Sequence, residues 1–300
     1  MTDPISPFEP TRSDLPSAAR PGNAALGVPP WILAVAAMLS VQLGSALSVG
    51  LISTVGSAGI AWLRLTMGAL VLVVLARPPL RSIRRADVPV LLALGVATGM
   101  MTVAFLSAIE RIPLGTAVAI DFLGPLTVAA VRSHHARALM WPGLALLGVL
   151  CLTEPWHGKV DPVGIGFAAL AALGWGTYIL LTQLVGDRFS GIGGLSMTIP
   201  IAAVAAAVVG IPQAAGHITP GVLGATLGLG ILVPVLPFSL EMLALREMTH
   251  HAFGTLMAVE PAIGFLLGLI ILDQRPTTLP LFGLLLVVVA GAAAQRSVRS

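Results

Sequence analysis

Two carboxylates stand at matching places in a chain that otherwise keeps charge out of its apolar runs. Gly115-Thr116-Ala117-Val118-Ala119-Ile120-Asp121 and Gly254-Thr255-Leu256-Met257-Ala258-Val259-Glu260 both read Gly-Thr-x-x-Ala-[Ile/Val]-acid, 139 residues apart. A carboxylate in hydrocarbon costs free energy, so a helix that only anchors a protein rarely keeps one. Two of them at corresponding positions of a duplicated chain suit the facing walls of a central pathway, where they can attract an ammonium group or carry a proton. The other use is structural. Pro125 and Pro261 lie close enough to break both helices, and a buried acid can be satisfied by helix-end N–H groups or by Arg64. Residue types alone leave both uses open.

The elements that must position these acids follow from composition. Apolar residues make up 56% of the 300 residues, charged residues 10%, and the mean hydropathy is +0.96. So few charges exclude soluble classes. The single cysteine, Cys151, excludes an intrachain disulfide or a cysteine-cluster metal site. A bilayer core needs about 20 apolar residues per helix. Runs between charged or proline-rich breaks give ten candidates, at 30–50, 58–76, 88–109, 114–131, 138–153, 162–185, 191–211, 220–244, 252–272 and 279–295. Residues 1–28, with Pro4, Pro7, Pro10, Pro16 and Pro21 and mixed charge, read as a disordered tail kept in the mature protein. If the N-terminus is cytoplasmic, twelve of the sixteen arginines and lysines fall in inner segments, including the run from Arg77 to Arg85. The positive-inside rule then puts both termini in the cytoplasm, and the net charge of +3 is an orientation signal, not a nucleic-acid footprint.

Five spans per half is an odd number, so the second half enters the membrane inverted. Further echoes support duplication into units 29–153 and 162–295. Ala108-Ile109-Glu110-Arg111-Ile112 is matched by Ala244-Leu245-Arg246-Glu247-Met248, and Leu139 with Gly143-Leu144 by Leu279 with Gly283-Leu284. Gly95 and Gly99 are matched by Gly224 and Gly228, spacings that permit close helix approach. The fold expected is an all-α integral membrane protein of ten transmembrane helices in two inverted five-helix repeats.

Depth follows from a rise of ~1.5 Å per residue, which puts Asp121, Glu260, Trp175 and Gln42 around the middle of a core ~30 Å thick. Trp175 and Tyr178, three residues apart, share a helix face and suit either packing or the wall of a solute cavity. Gln42, Ser45 and Ser48 form a polar stripe on the first span, usable for helix contacts or solute hydrogen bonds. Glu241 falls near the inner edge, as an interfacial carboxylate or a gating charge. Arg64 either snorkels outward or balances Asp121. Trp31, Trp62, Trp141 and Trp156 fall at interfaces, where aromatic belts belong. The pairs His134-His135 and His250-His251 are adjacent in sequence and do not share a helix face, so no metal site is expected. No P-loop, H-E-x-x-H or G-x-S-x-G occurs, which disfavours ATP-driven transport and familiar hydrolytic chemistry.

Three blocks carry a family resemblance. They are Ile112 to Leu126, with Asp121 and Pro125; Leu236-Pro237-Phe238-Ser239-Leu240-Glu241-Met242-Leu243-Ala244-Leu245; and Phe253 to Ala262, with Glu260 and Pro261. With Arg64 in its Trp-Leu-Arg-Leu setting and the Trp175/Tyr178 pair, the chain from Trp31 to Gln295 resembles the EamA-type transporters of the drug/metabolite transporter superfamily. The branch it resembles most is that of threonine/homoserine exporters and neighbouring exporters, aromatic amino acids included. One departure is Asp121, where that pattern has glutamate, one methylene longer. The resemblance implies a cofactor-free, non-enzymatic exporter of amino acids and related metabolites in the bacterial inner membrane. It implies alternating access; the partners expected are membrane lipid and the small-molecule cargo, with a monomer as the expected working unit. Its expected solute site is Gln42, Asp121, Trp175, Tyr178 and Glu260, with Arg64 and Glu241 for charge balance or gating. Efflux of cationic drugs is the second transporter reading, and an intramembrane enzyme the remote one.

Overall fold

A chain segment surrounded by hydrocarbon must pair its backbone groups within itself, which for apolar runs of this length means helix. The computed structural model describes residues 28–76, 83–132, 139–154, 161–185, 191–248, 250–275 and 278–297. The expected tail, most of the arginine run, Arg137, Trp156, Lys159, Arg188 and the His134-His135 pair lie outside these residues.

The elements in order are α1 (Pro30–Val55), α2 (Ser57–Ala76), α3 (Val88–Ile109), α4 (Leu114–Asp121), α5 (Leu123–Arg132), α6 (Met140–Thr153) and α7 (Pro162–Val185). They continue with α8 (Gly191–Ala214), α9 (Pro220–Gly230), a π-helical turn Ile231–Val235, α10 (Leu236–Glu247), α11 (His250–Met257), α12 (Glu260–Ile271) and α13 (Thr278–Ser297). Eight helical stretches are long and apolar enough to span a bilayer, and α6 and α13 are shorter apolar helices. Ten spans result, each within a few residues of the sequence expectation apart from the first, which runs on to Val55.

Three spans are broken, each beside a proline, whereas Pro200 and Pro212 lie inside a continuous α8. A proline has no N–H for the carbonyl four residues earlier, and its ring crowds that carbonyl. Pro125 therefore releases Asp121, the last residue of α4. Pro261 releases Met257, the last residue of α11. Pro234 releases Gly230, the last residue of α9, and Pro237 releases Val233, which has left helical geometry at φ −151°, ψ 112°. The backbone of Leu236 bonds Ile231 in the π-turn, and the hydroxyl of Ser40 donates to the Leu232 carbonyl at 2.7 Å. A serine on the first span thus repairs part of the break in the eighth.

Helices pair mostly across the two halves. Span 2 packs on span 7, span 4 on span 9 and span 5 on span 10; span 1 packs on spans 8 and 9, and span 6 on spans 3 and 4. Exchanging each span for its counterpart in the other half leaves these partnerships unchanged, as a duplicated five-span unit would produce. Glycines set the close approaches. A Cβ on Gly115 would sit 2.8 Å from the Phe265 backbone, and one on Gly264 2.9 Å from Val118, so the fourth and ninth spans cross nearly backbone to backbone. The glycine echoes are not equivalent. Gly95 and Gly99 face Ile201 and Ala202 on α8, whereas Gly224 and Gly228 meet nothing within 4 Å. Gly283 packs against α6 at Gly148, while Gly143 meets open space. Trp62 and Trp141, expected in aromatic belts, are both partly buried and pack against the core.

At the end of the bundle marked by Gly56, polar bonds join the halves. Gln213 accepts from the backbone N–H of Ala58 at 2.9 Å and Gly59 at 3.3 Å, satisfying free donors at the start of α2. Gln274 accepts from Leu114 N–H at 3.0 Å at the start of α4, and Arg111 meets Asp161 at 3.4 Å.

Candidate functional site

The three breaks surround one cavity of about 200 Å³ in the middle of the bundle. Its polar walls are Gln42 and Ser45 from α1, Arg64 from α2, Thr102 from α3, Asp121 ending α4, Glu241 from α10 and Glu260 opening α12. Trp175 of α7 closes one side, with its ring edge-on to Phe122 at 6.4 Å and 62°, against the break in the fourth span. Both halves contribute walls.

The two motif acids sit in different electrostatic settings. Glu260 begins a 12-residue helix, where the macrodipole favours negative charge, and its Oε1 accepts from Gln42 Nε2 at 3.1 Å. Asp121 ends its helix, where the macrodipole disfavours an anion, and its Oδ1 has no hydrogen-bond partner. Beside it is the carbonyl that Pro125 leaves without its helical donor. Of the two motif acids, Asp121 therefore has the setting less favourable to a bare anion, one that a cation would satisfy.

Gln42 Oε1, Arg64 Nε and Nη1, Asp121 Oδ1 and Glu260 Oε2 are buried without hydrogen-bond partners, and all belong to residues that line this cavity. Buried polar groups are ordinarily bonded, and each orphan costs about 1–3 kcal/mol. Five such atoms around one space are the mark of a site built for a polar occupant.

Six of the seven residues singled out in the sequence line the cavity: Gln42, Arg64, Asp121, Trp175, Glu241 and Glu260. Glu241 faces inward with the other acids, which the depth estimate alone did not indicate. Arg64 neither snorkels nor pairs; it is 5% exposed and makes no ion pair among the described residues. Tyr178 is half-buried and does not line the cavity, so the aromatic pair is split. Ser48 is buried but bonds the Gly44 carbonyl of its own helix at 2.7 Å, outside the cavity lining. Sequence reasoning missed Met101, Thr102 and Phe105 on α3, whose types carry no signal in an apolar helix, and Phe238 and Met257 beside the proline breaks. Among the described residues no group of three metal-ligating side chains is placed to hold an ion.

Ten apolar spans around a central polar cavity walled by both halves define a multi-pass membrane transporter. A model of the EamA-like transporter family matches residues 162–293. The threonine/homoserine exporter RhtA of Escherichia coli K12 is 34% identical, over 90% of this chain and 92% of that protein. RhtA of Salmonella typhimurium LT2 is 32% identical over the same shares. The pseudopaline exporter CntI of Pseudomonas aeruginosa PAO1 is 27% identical, over 89% of this chain and 95% of that protein. The chain belongs to the EamA-like transporter family. These relatives are exporters, not enzymes. A solved crystal structure with 19% identity shares the fold at a TM-score of 0.59, covering 90% of this chain and 99% of that one.

Proposed function

We propose that this protein exports amino acids and related small metabolites across the bacterial inner membrane by alternating access, with both termini cytoplasmic. The observation that carries the reading is the convergence of orphaned buried polar atoms from both halves on one cavity. Asp121 and Glu260 supply the charge for a solute ammonium, Gln42 holds Glu260 in place, and Trp175 offers an apolar wall. Glu241, deeper toward the cytoplasmic end, is the first carboxylate an entering ammonium group would meet. Two units, 29–153 and 162–295, move against each other about the broken fourth, eighth and ninth spans. The family match to residues 162–293 supports a unit boundary there. In this assignment the Gly56 end is periplasmic, and the bonds of Gln213, Gln274 and Arg111 hold that face shut.

Three carboxylates on one cavity also suit efflux of organic cations. Size and charge favour the smaller zwitterion: drug-sized sites run from about 300 to 1,000 Å³, and a buried arginine opposes a purely cationic cargo. Proteoliposomes carrying radiolabelled amino acids, with and without a pH gradient, test the reading. Saturable flux of threonine, homoserine or another amino acid is expected; flux of cationic dyes alone would overturn it.

A further inference from the structure

The deepest puzzle in the site is Arg64. A guanidinium taken out of water costs several kcal/mol unless a counter-charge and hydrogen bonds replace its hydration. Arg64 is 5% exposed, lines the central cavity, and leaves Nε and Nη1 without partners. The ion pairs among the described residues are Arg111–Asp161 and Arg275–Asp273, and the cation–π contact is Arg111 over Phe167. Arg64 takes part in none of them.

Its position is nonetheless fixed. A Cβ on Gly230 would lie 2.9 Å from the Arg64 carbonyl oxygen, and one on Gly68 2.7 Å from Pro234. The second span is thus locked at Arg64 against the break in the eighth. Counted from the Gly56 end, Arg64 and Asp121 are each seven residues into their helices, about 10 Å deep. Two opposite charges at one depth face one cavity, and both keep unpaired atoms instead of joining each other.

We infer that Arg64 is the subsite for the solute's carboxylate, so that an α-amino acid binds as a zwitterion with its carboxylate on Arg64 and its ammonium on Asp121 and Glu260. This rests on the amino-acid reading above and extends it from charge at one end of the solute to charge at both. Opposite charges carried on one α-carbon can satisfy Arg64 Nε and Nη1, Asp121 Oδ1 and Glu260 Oε2 together. Guanidinium is the group suited to the task, because its planar fork takes a carboxylate through two parallel N–H···O bonds. The solute side chain then lies among Met101, Phe105, Val118 and Trp175. Ser45 and Thr102 donate their hydroxyl hydrogens to Val41 and Thr98, at 2.9 and 2.8 Å, leaving lone pairs that can accept from a solute hydroxyl.

The test is counterflow of radiolabelled L-threonine in proteoliposomes of the full chain, competed by unlabelled L-threonine and by 1-amino-2-propanol. The second compound is threonine with hydrogen in place of the carboxylate. Wild type is expected to favour threonine by about ten- to a hundredfold, the worth of a charge-assisted bond. Arg64→Gln should remove that preference by weakening threonine while leaving the amine within about twofold, and Arg64→Lys should restore part of it. Equal competition by both compounds in wild type overturns the assignment without any variant, so a misfolded Arg64→Gln does not shield it. Parallel loss of both compounds in a well-folded Arg64→Gln also overturns it. Absence of saturable flux for every amino acid would instead remove the underlying reading.

Discussion

Replacing Gln42 by leucine removes a hydrogen bond that joins two walls of the cavity, one from each half. Gln42 Nε2 and Glu260 Oε1 are 3.1 Å apart, both residues are buried, and Glu260 Oε2 already lacks a partner. In the variant neither carboxylate oxygen is bonded. A hydrogen bond to a charged group contributes about 1.5–3 kcal/mol, and the length of this one argues for the lower half of that range. At about 2–4 °C per kcal/mol for 150–250 residues, an upper limit for a chain of 300, the loss should lower the melting temperature in detergent by no more than about 3–9 °C. Glu260→Gln removes the charge while keeping the shape, so the double variant should lose less than the two singles together, with a coupling of about 1 kcal/mol. Threonine at saturating concentration should recover part of the loss in Gln42→Leu, because a bound ammonium gives Glu260 a new partner. Unchanged melting in Gln42→Leu, or strict additivity with Glu260→Gln, would refute the claim that this contact holds Glu260.

Further outcomes follow from the packing and the breaks. Gly115→Val should cost about 1–3 kcal/mol, because its new Cβ meets the Phe265 backbone, whereas Gly228→Val, with nothing within 4 Å, should melt within about 1 °C of wild type; equal melting of the two variants would contradict the glycine assignment. Pro261→Ala should repair the break in the ninth span and slow turnover more than it changes half-saturation, which transport rates against concentration will show. Cysteines at Ala58 and Gln213 in a Cys151→Ser background, joined by a short reducible cross-linker, should arrest flux until the link is reduced; undiminished flux while linked would count against alternating access.

Much of the site could be read in the residues because charge is so scarce. In a chain with 10% charged residues, any acid or arginine within an apolar run is conspicuous, and Arg64, Asp121, Glu241 and Glu260 all reach the cavity. Pro125, Pro234, Pro237 and Pro261 likewise lie at the breaks, each four places after the residue that loses its bond, but Pro200 and Pro212 sit inside an unbroken α8, so a proline alone does not announce a break. Facing directions were less legible. The spans are apolar on nearly every side, so periodicity could not tell that Trp175 lines the cavity while Tyr178 does not, or that Gly228 looks outward while Gly99 packs. Thr102 and Phe105 gave no signal for the same reason. The pairing of Gln42 with Glu260 joins residues 218 apart, and only the packing of the first span on the ninth brings them together.

The central claim is that the unsatisfied acid at the end of α4 holds the ammonium group of the cargo. Its most direct measurement is threonine counterflow by Asp121→Asn in proteoliposomes, beside a melting curve of the same preparation. The account predicts a folded protein whose threonine flux falls at least about tenfold, the loss of one charge-assisted contact. Wild-type flux from that variant would contradict it.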